Sequence, residues 1–228
     1  MTFREAVTVM LRRLIFPVIL GLAGCAILIS LGSWQVKRQL WKNDVLAGIE
    51  AGIAADPVAL PPEGEGAVYL PVAVRGTLTG EYLRVLVSRK QIGPGHRIIA
   101  VLDTGERRVL TDLGFVRDGA ALPEPRGAVA FAANLHRPAE VDGYTPAPDL
   151  AKNLWFARDV PAMAAALTTE ATFVVARETV VPGIEAMPLD TSGIPNDHLQ
   201  YAVTWFLLAL VWAGMTGLLI WRISQRRS

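Results

Sequence analysis

Leu14–Val36 reads LIFPVILGLAGCAILISLGSWQV, 23 residues without a charge, and Leu199–Trp221, LQYAVTWFLLALVWAGMTGLLIW, matches it in length. Each exceeds the roughly 20 residues a helix needs to cross the hydrocarbon core of a bilayer. No third run comes close. Between them, Lys37–His198 comprises 162 residues, enough for one domain with its own core and too few for two. The expected order is a tail (1–13), a transmembrane helix (14–36), an outer domain (37–198), a second transmembrane helix (199–221) and a tail (222–228).

Composition narrows the class further. The chain has 228 residues, 52% apolar and 19% charged, which is neither disordered nor collagen-like. Its single cysteine, Cys25, excludes a disulfide framework, a four-cysteine zinc site, a two-cysteine copper site and a CxxCH haem attachment. With 22 basic and 21 acidic residues there is no electrostatic footprint for nucleic acid.

Arginines set the expected orientation. Arg4, Arg12 and Arg13 precede the first span and Lys37, Arg38 and Lys42 follow it, which decides nothing. The second span is followed by Arg222, Arg226 and Arg227 and preceded by Asp190, Asp197 and His198. The positive-inside rule then puts both termini in the cytoplasm and the domain outside. Leu22-Ala23-Gly24-Cys25 has the form of a lipoprotein cleavage box, but uncharged residues continue past Cys25, so the span is read as retained. Arg12-Arg13 is read as a flanking basic pair, not an export signal. Cys25 is expected to be a small residue in lipid without a partner. Pro17 is expected in the first turns of the helix, where early N–H groups lack partners anyway. Trp34 and Trp41 fall where interfacial anchors belong, with Trp205 and Trp212 deeper on one face of the second span.

Helical spacing at Leu46, Ile49 and Ile53 continues the first helix into the aqueous phase until Asp56-Pro57. Strand-like runs follow at 68–74, closed by Gly76, then 82–88, 96–102, 108–116, 129–135 and 172–176. Gly93-Pro94-Gly95 is read as the turn between the second and third of these, and Thr104-Gly105 as the next turn. Residues 161–167 form one short helix, with Asp159 as its N-cap. The fold class is thus an α+β membrane protein: two transmembrane helices flanking a mainly antiparallel β outer domain, as a sheet or partly closed barrel, with one short helix.

Enzyme signatures are absent: no GxSxG, HExxH or GxxxxGK[ST] occurs. His96 and His136 read as surface or hydrogen-bonded residues of strands. His198 differs, because it stands at the mouth of the second span after Pro195-Asn196-Asp197, where Asn196 or Asp197 can cap the helix. Its imidazole could ligate haem iron or serve as a polar belt residue. Arg38 shares a helical face with Trp34 and Trp41. There it could hold a haem propionate, a phospholipid headgroup or a partner's carboxylate, or simply snorkel. Gly21, Gly24, Gly214 and Gly217 would permit close approach of the two spans.

Leu31-Gly32-Ser33-Trp34-Gln35-Val36-Lys37-Arg38 with Trp41-Lys42, and residues 195–206 (PNDHLQYAVTWF), resemble the two signature ends of the surfeit locus protein family. Between them residues 69–76 (YLPVAVRG), Gly95-His96-Arg97, residues 109–116 (VLTDLGFV) and residues 153–160 (NLWFARDV) follow the family's order and spacing. One hairpin departs: Asp112, Leu113 and Arg117 replace the family's usual asparagine, arginine and proline, so a role tied to that arginine does not carry over to this chain.

The resemblance implies a membrane-bound assembly factor for haem–copper cytochrome c oxidase, not an enzyme. It would act while haem a is placed into subunit I, with that subunit, the haem a delivery machinery and membrane lipid as partners. It further implies His198 as the axial ligand of haem a iron. Trp34, Arg38, Trp41, Tyr201 and Trp205 would line or support the site. The expected location is a bacterial-type inner (plasma) membrane, multi-pass, with the domain in the periplasm. Two alternatives stand beside it. One is a scaffold that stabilises an oxidase assembly intermediate without binding haem. The other is a two-span periplasmic binding or sensor module, which would call for a cytoplasmic signalling extension where the tails span 13 and 7 residues.

Overall fold

The computed structural model describes residues 3–90 and 92–225, with side chains from residue 14 onward. Arg226 and Arg227, and the side chains of Arg4, Arg12 and Arg13, lie outside the described residues. In chain order the elements are α1 (Phe3–Ala54), β1 (Val58–Ala59), β2 (Pro71–Arg89), β3 (Gly93–Asp103), β4 (Arg108–Arg117), β5 (Arg126–Leu135), β6 (Leu154–Trp155), α2 (Val160–Leu167), β7 (Phe173–Ala176) and α3 (His198–Gln225). They form two compact units: Met1–Ala47 with Ser192–Ser228, and Gly48–Thr191.

The first unit is an antiparallel helical hairpin. Leu14–Ala54 and His198–Gln225 are long and apolar enough to cross a membrane, with mean hydropathy 2.6 and 2.0 in their most apolar windows. Their large apolar side chains, such as Phe16, Leu22, Leu210 and Met215, are exposed, as lipid-facing residues must be. The chain is a two-span membrane protein with a β domain. The helices pack directly. A Cβ on Gly21, Gly24 or Gly32 would stand 2.3, 2.2 or 2.7 Å from the side chains of Thr216, Trp212 and Phe206 respectively. Gly214 and Gly217, expected to share that role, have nothing within 4 Å of a built Cβ; Ala202 and Ala209 are the buried small residues of α3. Cys25 is not partnerless, since its Sγ lies 3.9 Å from the Ala209 carbonyl oxygen.

Pro17 sits inside α1 and not in its first turns. The stretch from Phe3 to Leu11 contains neither glycine nor proline, so nothing stops the helix from starting upstream. A transmembrane helix tolerates the one lost N–H bond.

In the second unit β2, β3, β4, β7 and β5 pair in that order, and β5 pairs back with β2, so the sheet closes on itself. Closure rests on the length of β2. Pro71–Thr79 pairs with β5 and Tyr82–Arg89 with β3, with a register shift between Leu78 and Tyr82. One bent strand therefore replaces the two expected at 68–74 and 82–88. Gly76 does not close a run: it stands within β2, before the register shift, where a Cβ would lie 2.3 Å from the Asp103 carbonyl oxygen, a backbone approach that no side chain allows. Gly93-Pro94-Gly95 is likewise not the turn. It pairs in β3 with Arg89, Ser88 and Val87, and the chain reverses just before it.

Most ladders are antiparallel, but β4–β7, β1–β2 and β2–β6 are parallel. Val72, Val74, Leu78, Ile98, Leu102, Val109, Leu113 and Phe131 fill the barrel interior. On the outer face, Leu83, Val85, Ile99, Leu110, Phe173 and Val175 pack against Trp155 and against Met163 and Ala164 of α2. Asp159 caps α2 as expected, accepting the Ala162 N–H at 3.2 Å. The last residues of α1, from Gly48, belong to this second unit. Asn134 Nδ2 donates to the Ile53 carbonyl at 3.0 Å and Arg177 Nη2 to the Ala55 carbonyl at 3.1 Å, partners for acceptors that a helix C-terminus leaves free.

Candidate functional site

His198 is the first residue of α3, and the chain around it is held by polar residues of α1. Leu199 N–H donates to Gln39 Oε1 at 3.1 Å. Asn196 Nδ2 donates to Asn43 Oδ1 at 2.9 Å and Lys42 Nζ to the Pro195 carbonyl at 2.5 Å. Gln39 Nε2 also donates to Asn43 Oδ1, at 2.9 Å. Gln35, Gln39, Lys42 and Asn43 recur at helical spacing and so share a face. The side-chain cap of α3 therefore comes from Gln39 and not from Asn196 or Asp197, because the neighbouring helix brings an amide oxygen to the orphan N–H.

The imidazole of His198 belongs to this set. Its Nδ1 lies 2.8 Å from Gln35 Oε1. An amide oxygen only accepts, so Nδ1–H donates, and in the uncharged ring Nε2 is then the nitrogen with the lone pair. A ring in this tautomer, with one nitrogen tied to a carbonyl, has the form that metal-binding histidines take.

The aromatic and basic residues expected at the site lie on neighbouring positions of the same two helices. Trp34, Arg38 and Trp41 lie one residue before Gln35, Gln39 and Lys42, which turns them roughly 100° around α1. Trp34 and Trp41 are exposed, and the Arg38 guanidinium stands 3.9 Å over the Trp41 ring, a cation–π contact. Tyr201 and Trp205 follow His198 by three and seven residues on the same flank of α3, the first exposed and the second half-buried. The structure thus joins His198 to Gln35 and Arg38 to Trp41. Among the described residues, no hydrogen bond or ring stacking links Trp34, Tyr201 or Trp205 to the imidazole. Gln35, Gln39 and Asn43 were not singled out by the sequence, although amides at i, i+4 and i+8 just past an apolar span are a readable signal.

A second polar cluster lies on the outer face of the barrel. Asp112 is fully buried on β4. Its Oδ2 pairs with Arg97 Nη1 and lies 3.6 Å from Arg158 Nη1, and its Oδ1 accepts the Gly114 N–H at 3.0 Å. Burial pushes the Asp112 carboxyl up, against the pull of Arg97 and Arg158. Arg158 Nε and its backbone N–H each donate to Glu140 at 3.0 Å. Burial would raise the Glu140 carboxyl too, but the Arg158 bonds and charge outweigh it and hold it below the usual range. His136 stacks on Tyr69 with ring centroids 5.9 Å apart, and burial, aided by Arg158, lowers it to about 4. Arg97, buried Asp112 and Arg158 link β3, β4 and the segment after β6, which is a packing role. Leu113, where the family usually has arginine, is buried in the barrel interior. Among the described residues no three His, Cys, Asp or Glu side chains cluster to hold a metal ion.

The profile of the SURF1 family matches residues 22–210. Surfeit locus protein 1 of Homo sapiens is 28% identical over 208 residues, which cover 79% of this chain and 69% of the human protein. The protein of that name from Xenopus tropicalis is 28% identical over 205 residues, covering 78% of this chain and 67% of its own length. A SURF1-like protein of Drosophila melanogaster is 27% identical over 213 residues, 79% of this chain and 69% of its own. A match that runs from the first span through the barrel into the second makes this chain a member of the SURF1 family.

Proposed function

We propose that this protein is a membrane-anchored assembly factor for a haem–copper cytochrome c oxidase, and that it promotes placement of haem a into subunit I by holding the haem through His198. Family membership across residues 22–210 carries the assembly role. The haem is cargo on this reading, not a resident group.

The residues present fit such a cargo. His198 offers an imidazole whose Nδ1 is engaged by Gln35, which turns Nε2 toward the role of ligand atom. When bound, haem a supplies an iron that accepts this lone pair. Tyr201 and Trp34 present exposed aromatic surface for a porphyrin face. Arg38 takes part in no ion pair among the described residues, so its charge is available to a propionate or a lipid headgroup. A single protein ligand suits a carrier that must release what it holds. The charge bias around the spans favours both termini in the cytoplasm, with the barrel on the outer side of a bacterial-type inner membrane. The partners on this reading are oxidase subunit I, the haem a delivery machinery and the surrounding lipid.

Reduced-minus-oxidised spectra of membranes from a strain lacking the protein test this. The oxidase haem a signal is expected to be lost and restored by the wild-type chain but not by His198→Ala. Rescue by His198→Ala would leave an assembly role and assign it to a scaffold that carries no haem. An unchanged signal in the deletion strain, with no second copy of the gene, would sink the assembly role itself.

A further inference from the structure

We infer that Gln35 is a positioning residue for His198: its side-chain oxygen fixes the imidazole as the Nδ1–H tautomer, so that Nε2 is presented as a ready electron-pair donor. The inference rests on the haem-carrier reading and adds to it a residue on the other helix.

Three observations carry it. Gln35 Oε1 lies 2.8 Å from His198 Nδ1, a full hydrogen bond between residues 163 positions apart in sequence. The contact is not a chance meeting of two long side chains, because the polar bonds on either side hold the helices in register. Gln39 binds the Leu199 N–H and Asn43 binds Asn196, so the polar face of α1 holds residues 196–199 and Gln35 meets His198 within that set. The tight glycine contacts deeper in the hairpin continue that register, with Gly32 against Phe206 and Gly24 against Trp212. The register that packs the spans therefore also aims the amide at the imidazole.

The chemistry gives the contact its consequence. A histidine side chain free in water favours the Nε2–H tautomer, which presents Nδ1, the more crowded nitrogen, as donor. Gln35 reverses that preference. A ligating histidine that donates its other N–H to an oxygen has a fixed ring orientation and a more basic donor atom, and losing such a partner typically costs 10–100-fold in metal affinity. Gln35 thus acts through His198 without touching the iron.

The full-length protein, labelled with 15N-histidine and held in detergent micelles without haem, reports the tautomer directly by NMR, with the His198 signals assigned by His198→Ala. The wild type is expected to show His198 mainly as Nδ1–H. Gln35→Leu is expected to revert it to Nε2–H, and Gln35→Glu, which keeps an acceptor at the same reach, to restore Nδ1–H. Haem a retained by protein purified from haem-a-producing cells should follow the same order: a 10–100-fold weaker affinity in Gln35→Leu and near-recovery in Gln35→Glu. A wild-type His198 that is mainly Nε2–H, or a tautomer unmoved by Gln35→Leu, overturns the inference while leaving the carrier reading intact. Full haem a retention by His198→Ala overturns the carrier reading, and the haem half of this inference with it, whatever the tautomer.

Discussion

The indole of Trp212 lies against Gly24 and donates its Nε1–H to the carbonyl of Gly21 at 3.2 Å. Deep in the hairpin this contact sets the distance between the spans, because a Cβ on Gly24 would stand 2.2 Å from the indole nitrogen. In lipid, where the hydrophobic effect between helices is absent, such close packing is what holds a pair together. Gly24→Val is expected to destabilise the hairpin by about 2 kcal/mol, read as a lower melting temperature in detergent. Gly214→Ala, whose Cβ meets nothing within 4 Å, should change it by less than about 0.5 kcal/mol. Equal effects of the two would remove the hairpin contact from the account.

Asp112→Ala leaves Arg97 and Arg158 buried without their shared carboxylate. Breaking a buried pair in this way costs about 3–5 kcal/mol, so the barrel should melt at a much lower temperature. Asp112→Asn combined with Arg97→Gln should cost less than the sum of the single changes, since the pair is removed together. Additive single effects in that double-mutant cycle would show that the two side chains do not interact.

Stability should also depend on pH through His136. Its pKa is lowered from the model-compound value of 6.5 to about 4, so the unfolded chain binds the proton more readily than the fold does. Between these values folding loses stability as pH falls, and below about 4 the loss is complete. Full burial at 1.36 kcal/mol per unit would cost about 3 kcal/mol; solvent at the ring edge reduces this to about 2 kcal/mol. Melting curves between pH 7 and pH 4 should show this slope for the wild type and a shallower one for His136→Phe. An identical slope in the two would assign the acid sensitivity to other groups.

Gly114 adopts a φ of 121°, and a Cβ there would stand 2.1 Å from the Glu185 carbonyl oxygen. That carbonyl accepts the Phe115 N–H at 2.7 Å, and Glu185 N–H returns a bond to Phe115 at 2.9 Å. Gly114→Ala meets both an unfavourable φ and a clash, together about 3 kcal/mol. Hydrogen exchange should show faster amide exchange at Phe115 and Glu185. Unchanged protection at both would mean that the 185 segment does not depend on Gly114.

Much of the secondary structure was legible because it rests on local rules. The uncharged runs 14–36 and 199–221, the turn at Thr104-Gly105 and the Asp159 cap each depend on a few neighbouring residues, and all lie in matching elements of the structure. Gly76 and Gly93-Pro94-Gly95 misled for the same reason. Read locally, glycine and proline punctuate strands, whereas Gly76 answers to Asp103, a residue 27 positions away. The start of α1 upstream of Pro17 was obscured in the same way, since proline marks a first turn only when nothing helical precedes it.

By itself the sequence determined that two helices long enough to span a bilayer flank a strand-rich domain, and it singled out His198 at the start of the second. These follow from hydropathy, turn chemistry and motif order, which are written along the chain. Only the tertiary structure decided that β2 bends to close a barrel, that Asp112 finds Arg97 and Arg158, and that Gln35 stands beside His198. Each of these is a meeting of residues distant in sequence, fixed by strand register or by the glycine-packed register of two antiparallel helices, and no local pattern encodes it.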